Sequence, residues 1–309
     1  MKRYLGVVLL VLVFVMGMQY FLPRQEQPET KEPTCIKVDT KNIDGGDADD
    51  KNILPNDTLA EEITALSNKD STHYSVYIGY PREERKPYLY QSESMRSASM
   101  IKVFLLASAM ERVKDGNLSL DMPIVLHKEY KTGGSGILSG YPDESVITLD
   151  TVLRLMITES DNIATNLLID LLGMESINAY ITQNGYSDTI LSRKMMDFTA
   201  VKEGRENYTS VRDLGDLFTR IYRHECVGYE QDEIMLSYLC GQTDEECFPA
   251  ALPEATIAHK TGELDSLYDD GGIIYLGDRD LIVVIMTENC SSRYGAIETM
   301  KKMVRVAAR

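Results

Sequence analysis

The sequence contains no Cys-x-x-Cys pair and its four histidines are scattered, so a zinc site is not expected and no cofactor is implied. It is also short of positive charge. Its 32 Lys and Arg stand against 48 Asp and Glu, a formal net charge of -16, which argues against nucleic acid or an anionic membrane surface as a partner. No internal repeat is evident, which removes solenoids and propellers from consideration.

Length and patterning divide the 309 residues into three parts. Lys2-Arg3 precedes an apolar stretch from Val7 to Met18 that runs on to Leu22. No A-x-A follows it, and Val15-Met16-Gly17 is a poor cleavage site, so residues 1–22 read as an uncleaved membrane anchor. Secretion after signal cleavage is the alternative. Cys35, preceded by Glu32-Pro33-Thr34, stands too far past the run for a lipoprotein cysteine. Residues 23–56, rich in Pro, Glu, Asp, Lys and Gly, read as a disordered acidic tether. Residues 57–309 suffice for one domain of two lobes, expected outside the cytoplasmic membrane. The cysteine count is five, and Cys226, Cys240 and Cys247 fall close together. A disulfide among those three is one expectation for that compartment; buried free thiols are the other.

Three short motifs then occur in one order: Ser99-Met100-Ile101-Lys102, Ser160-Asp161-Asn162, and Lys260-Thr261-Gly262. Each is weak alone, and Lys131-Thr132-Gly133 is a second copy of the third. Context separates the copies. Lys131 opens KTGGSG, which is turn material, whereas Lys260 ends the alternating, β-branched run Ala255-Thr256-Ile257-Ala258-His259, which reads as a strand. Gly271-Gly272-Ile273-Ile274-Tyr275-Leu276 and Leu281-Ile282-Val283-Val284-Ile285-Met286 flank the turn Gly277-Asp278-Arg279-Asp280, predicting an antiparallel hairpin beside it. Strands are also expected at residues 73–78 and 88–90, helices from Ser99 to about Tyr222, and a closing amphipathic helix carrying Ile297, Met300, Val304 and Ala307. Strands at both ends with helices between them make an α+β pattern.

Ser99 and Lys102 lie three apart, so on a helix both face one way. The residues around Lys102 are apolar on all sides. Burial there pushes a lysine toward its neutral form, and a neutral amine can take a proton from a neighbouring hydroxyl. A helix N-terminus also favours negative charge developing beside it.

These motifs resemble the class A β-lactamase and penicillin-binding enzyme superfamily over roughly residues 57–309. The resemblance implies an α+β fold: an antiparallel five-stranded sheet flanked by helices, with an inserted all-helical lobe. It implies Ser99 as nucleophile, Lys102 as its base and Ser160 as proton shuttle. Asn162 would bind the substrate's acylamide, and Asp161 would face away and tie its loop down. Lys260 and Thr261 would meet the substrate carboxylate, Gly262 would allow close approach, and the backbone N–H groups of Ser99 and Glu263 would form an oxyanion hole. Glu263 departs from the small residue usual there, which bears on substrate fit.

A second departure bears on the reaction. The family's deacylating glutamate should fall in Leu191-Ser192-Arg193-Lys194-Met195-Met196-Asp197-Phe198-Thr199, and alignment on Leu191 and Arg193 puts Met195 in its place. Asp197 is the nearest carboxylate and the candidate replacement base. Glu203 and Glu206 precede Ser210-Val211-Arg212-Asp213, which reads as a helix start. The expectation is a tethered serine hydrolase that forms an acyl-enzyme with β-lactams or D-Ala-D-Ala-like peptides, such as a peptidoglycan stem peptide, and releases it slowly. The alternatives are an efficient β-lactamase using Asp197, a β-lactam-binding sensor, and an esterase.

Overall fold

A computed structural model describes residues 56–277 and 279–309. The anchor and nearly all of the tether expected from the sequence lie outside the described residues. Among the described residues no helix is long and apolar enough to cross a membrane.

Helix α1 (Asn56–Ser67) leads into β1 (His73–Gly79), β2 (Tyr88–Tyr90) and the two-residue β3 (Met95–Arg96). A single 3-10 turn (Ala98–Met100) then opens onto α2 (Ile101–Lys114). The ribbon β4 (Pro123–Leu126) and β5 (Ser145–Thr148) precedes α3 (Leu149–Thr158), α4 (Asn162–Leu172), α5 (Met174–Gln183) and the short α6 (Phe198–Lys202). Next come β6 (Tyr208–Thr209), α7 (Val211–Tyr222), α8 (Tyr229–Cys240) and α9 (Phe248–Ala251). Strands β7 (Thr256–Leu264), β8 (Leu267–Tyr275) and β9 (Leu281–Glu288) and helix α10 (Arg293–Ala307) complete the chain.

The main sheet is antiparallel and five-stranded in the order β2-β1-β9-β8-β7, so the strand bearing Lys260-Thr261-Gly262 forms one edge. The run Leu281 to Met286 explains how the sheet is held. Its alternate residues Leu281, Val283 and Ile285 pack into one core with α1 and α10, while Ile282, Val284 and Met286 pack into the other with the helical lobe. A strand buried on both faces reads as an unbroken apolar run, as this one does.

The inserted lobe is built around α2. All its residues from Ile101 to Met110 are buried, and only Lys102 and Ser108 among them are polar. The lobe is helical apart from two small ribbons, β4–β5 and β3–β6, which a reading of it as all-helical passes over. Helices α3, α4 and α7 begin at side-chain caps: Thr148 accepts from Thr151 N, Asp161 from Ala164 N, and Ser210 from Asp213 N. The Lys260 strand does not stop at His259 but runs on to Leu264, which puts Lys260 in mid-strand opposite Gly271.

Candidate active site

Ser99 sits in the 3-10 turn two residues ahead of the first residue of α2, half-buried, rather than inside the α-helix itself. Ala98 before it has φ +42°, a left-handed conformation that costs a non-glycine residue on the order of 1–2 kcal/mol. The turn is fixed from both sides: Ser97 N donates to Asn207 O at 2.8 Å, and β7 packs on it. A Cβ built on Gly262 would fall 3.1 Å from Met100 Cγ and 3.2 Å from Ala98 Cβ, so even an alanine there would require these neighbours in the Ser99 turn to give by a few tenths of an ångström.

Lys102 is fully buried in the first turn of α2. Its Nζ lies 2.6 Å from Ser160 O, 3.1 Å from Ser160 Oγ and 3.0 Å from Asn162 Oδ1. Ser99 Oγ is not among these partners, so the expected direct contact between serine and lysine is replaced by one to the second motif. Burial, and after it the charge of Lys260, hold Lys102 well below the ordinary lysine range, with Asp161 opposing. The amine donates to all three of these oxygens, which hold its nitrogen in place against the Ser160 motif.

Lys260, also fully buried, reaches the same hydroxyl from the edge strand, 3.1 Å from Ser160 Oγ and 2.8 Å from Thr261 O. Burial brings its pKa down to about 7, against the opposing charges of Asp244 and Asp270. One hydroxyl therefore stands between two buried amines, on a residue with φ +50°. Asp161 holds that turn. Its Oδ2 accepts from Ile137 N at 2.7 Å and Leu138 N at 2.8 Å, and its Oδ1 from Ala164 N at 2.9 Å.

The second Lys-Thr-Gly, set aside as turn material, turns out to build the wall of this site. Lys131 itself points away, to Tyr141 O at 2.7 Å and Asp143 at 2.8 Å. The glycines behind it press on the Ser160 motif. Gly133 O accepts from Asn162 Nδ2 at 3.3 Å, and Asn162 N donates to Ser135 O at 3.0 Å. Gly136 has φ +118°, and a Cβ there would lie 2.2 Å from Asp161 Oδ2. A residue with a side chain fits neither the conformation nor the space. The signal in the sequence was the density of glycine itself.

Met195 is 7 % exposed, and its backbone is clasped by α4: Met195 N donates to Asn166 Oδ1 at 2.8 Å and Asn166 Nδ2 to Met195 O at 3.1 Å. Met196 has φ +63°, and its sulfur abuts Gly134. Asp197 is occupied as the N-cap of α6, with Oδ1 accepting from Ala200 N at 2.9 Å. Glu206 pairs with Arg193 at 2.6 Å, and Asn207 Oδ1 accepts from Ser192 N and Arg193 N, which together staple the loop. Glu263 turns its carboxylate outward to Arg293, which also bonds Glu246 at 2.6 Å. The three clustered cysteines do not pair with one another. Cys226 and Cys247 are free thiols, as is Cys290, whereas Cys240 is disulfide-bonded.

Comparison with known proteins agrees with this arrangement. Residues 58–309 match the family model described as the β-lactamase enzyme family. The extended-spectrum β-lactamase PER-1 of Pseudomonas aeruginosa is 22% identical over 245 residues, covering 75% of this chain and 80% of that protein. A β-lactamase structure from Sphaerobacter thermophilus is 28% identical with a TM-score of 0.76, over 82% of this chain and 97% of the other. PBP-A shares the fold, with a TM-score of 0.74 and 24% identity over 81% of this chain and 94% of its own; a mutant of it is known as an acyl-enzyme complex with penicillin G. With the family model spanning nearly everything outside the N-terminal arm, the chain belongs to the β-lactamase enzyme family.

Proposed function

We propose that the protein is an active-site-serine hydrolase that acylates itself on β-lactams or D-Ala-D-Ala-like peptides and releases the acyl group slowly, carried outside the membrane on its N-terminal anchor. The observation that carries this reading is the Ser160 hydroxyl, 3.1 Å from Lys102 Nζ and 3.1 Å from Lys260 Nζ. In this account Ser99 attacks the carbonyl carbon and Lys102, neutral through burial, takes its proton. The backbone N–H groups of Ser99 and Glu263 receive the oxyanion. Ser160 passes the proton on to the leaving nitrogen, Lys260 and Thr261 hold the substrate carboxylate, and Asn162 holds its acylamide. Acyl-enzyme formation by the mutant PBP-A with penicillin G supports the first half of this cycle by analogy.

Hydrolysis of the acyl-enzyme needs a base on a water molecule, and positioned proton transfer is worth about 10²–10⁴-fold. Met195, where the family's glutamate is expected, has a thioether that cannot take a proton. Asp197 already spends one carboxylate oxygen on capping α6. The test is a pair of substitutions. Met195→Glu should shorten the lifetime of a penicilloyl adduct by at least about tenfold, toward the range that a positioned base supplies. Asp197→Asn should leave the lifetime within a few-fold. Fast release in the parent that is lost in Asp197→Asn would instead make Asp197 the base.

A further inference from the structure

Asp269 is fully buried in β8 and takes no part in the chemistry described above. Its Oδ1 accepts from Thr287 N at 2.8 Å, and its Oδ2 finds no hydrogen-bond partner among the described residues. The residue stands across from the Lys260-Thr261-Gly262 strand, where its register partner is Gly262. A Cβ built on Gly262 would lie 3.3 Å from Asp269 Oδ2, and one built on Gly271 would lie 3.0 Å from Met100 Cε. The side chains of Asp269 and Met100 therefore share the space that these two glycines leave open against the Ser99 turn. We propose that Asp269 is a positioning residue for the oxyanion hole, an uncharged acid that fills this space and sets the spacing between the Ser99 turn and the strand carrying the Glu263 N–H. The role in acylation rests on the function proposed above, whereas the uncharged state does not.

The surrounding groups leave this carboxyl no cation of its own. On β3, Arg96 is committed to Glu288 of β9 at 3.1 Å. Asp270, the next residue of β8, turns to the other face, where it holds His259 Nδ1 and Phe248 N. Lys102 and Lys260 both turn to Ser160, and Glu263 is taken up by Arg293. Cys290, just past β9, is a free thiol that donates to Thr287 Oγ1. An ionised carboxylate calls for donors on both oxygens, and here it would have one hydrogen bond in full burial. Burial, opposed by the Thr287 N–H and Arg96 and reinforced by Glu288 and Asp270, holds the carboxyl well above the ordinary carboxylate range. The uncharged form also suits the chemistry. Acylation gathers negative charge at the N–H groups of Ser99 and Glu263, and a second buried negative charge one strand away would oppose it.

Two substitutions test this. Asp269→Asn keeps the shape of the uncharged acid, and its thermal midpoint is compared with the parent's between about pH 4 and about pH 8. The carboxyl ionises above about pH 4 in the unfolded chain but stays protonated to a higher pH in the fold, so the parent loses stability from this site as pH rises. Whatever the two midpoints are at the acid end, their difference should move in favour of Asp269→Asn toward the alkaline end. A difference that stays flat or moves in favour of the parent would mean an ionised carboxylate and overturn the inference. Asp269→Ala, assayed well below its own midpoint, should lower the limiting rate of acylation by penicillin by about tenfold or more, because a slightly misplaced oxyanion donor loses most of its effect. Its half-saturating penicillin concentration should stay within about threefold of the parent's, and Asp269→Asn should stay within about threefold in both quantities. An unchanged limiting rate in Asp269→Ala, a change confined to half-saturation, or equal losses in the two variants would remove Asp269 from the oxyanion hole. A parent that penicillin does not acylate would overturn the proposed function and this role together, while the midpoints would still decide the charge state.

Discussion

Ser99→Ala should abolish covalent labelling by a fluorescent penicillin, and peptide mapping of the parent should place the adduct on Ser99. The effect should be total, because every later step depends on the ester that this oxygen forms. The variant should still fold. Ser99 is half-buried in a turn held by the Ser97 backbone and by β7, so removing one oxygen leaves those supports in place. An unchanged thermal midpoint with no label is the expected pair of results. Labelling that persists in Ser99→Ala would assign the nucleophile elsewhere.

Lys260→Met should lower the acylation rate by on the order of 10²-fold or more, as expected when a charge-assisted contact is lost at the reacting centre. Methionine keeps an unbranched chain of similar volume in a fully buried site, which separates loss of charge from loss of packing. Lys131→Ala should stay within a few-fold of the parent, since Lys131 is held at the surface by Asp143 and Tyr141. The pH dependence adds an independent check. Because burial brings Lys260 down to about 7, its ammonium form is present below that pH and lost above it. Acylation by a carboxylate-bearing substrate at low concentration should therefore fall as pH rises through about 7. In the proposed mechanism Lys102 acts as the neutral amine, and its depressed value makes that form available at a lower pH than an ordinary lysine allows. In Lys260→Met the falling limb near 7 should vanish while the limb from Lys102 remains. Equal losses from Lys131→Ala and Lys260→Met would contradict the assignment of the two Lys-Thr-Gly copies.

Much of the architecture could be read from local pattern. The run Leu281 to Met286 was legible as one strand of a hairpin, and the two cores that take its alternate residues are why it carries no polar position. The apolar surroundings of Lys102 foretold its complete burial, and Asp161 was legible as a residue that ties down its loop. What escaped was set by contacts distant in sequence. Nothing near Lys102 says that its amine turns to Ser160 and Asn162, roughly sixty residues on, rather than to Ser99. The KTGGSG loop has the composition of a free turn, and only the fold brings Gly134 and Gly136 against Asn162 and Asp161. The left-handed backbones of Ala98, Ser160 and Met196 carry no glycine to mark them. Each costs on the order of 1–3 kcal/mol and is held by surrounding structure, a pattern that concentrates at functional sites. Two-residue ribbons such as β3–β6 are too short to show any period.

The account turns on an imbalance between making and breaking one ester, and whole-protein mass spectrometry after a pulse of penicillin G, sampled from seconds to hours, measures both. The account predicts that the mass of one intact penicillin appears on the domain, persists for minutes or longer, and decays faster in Met195→Glu. A parent protein that shows no adduct while the penicillin is fully hydrolysed would contradict it.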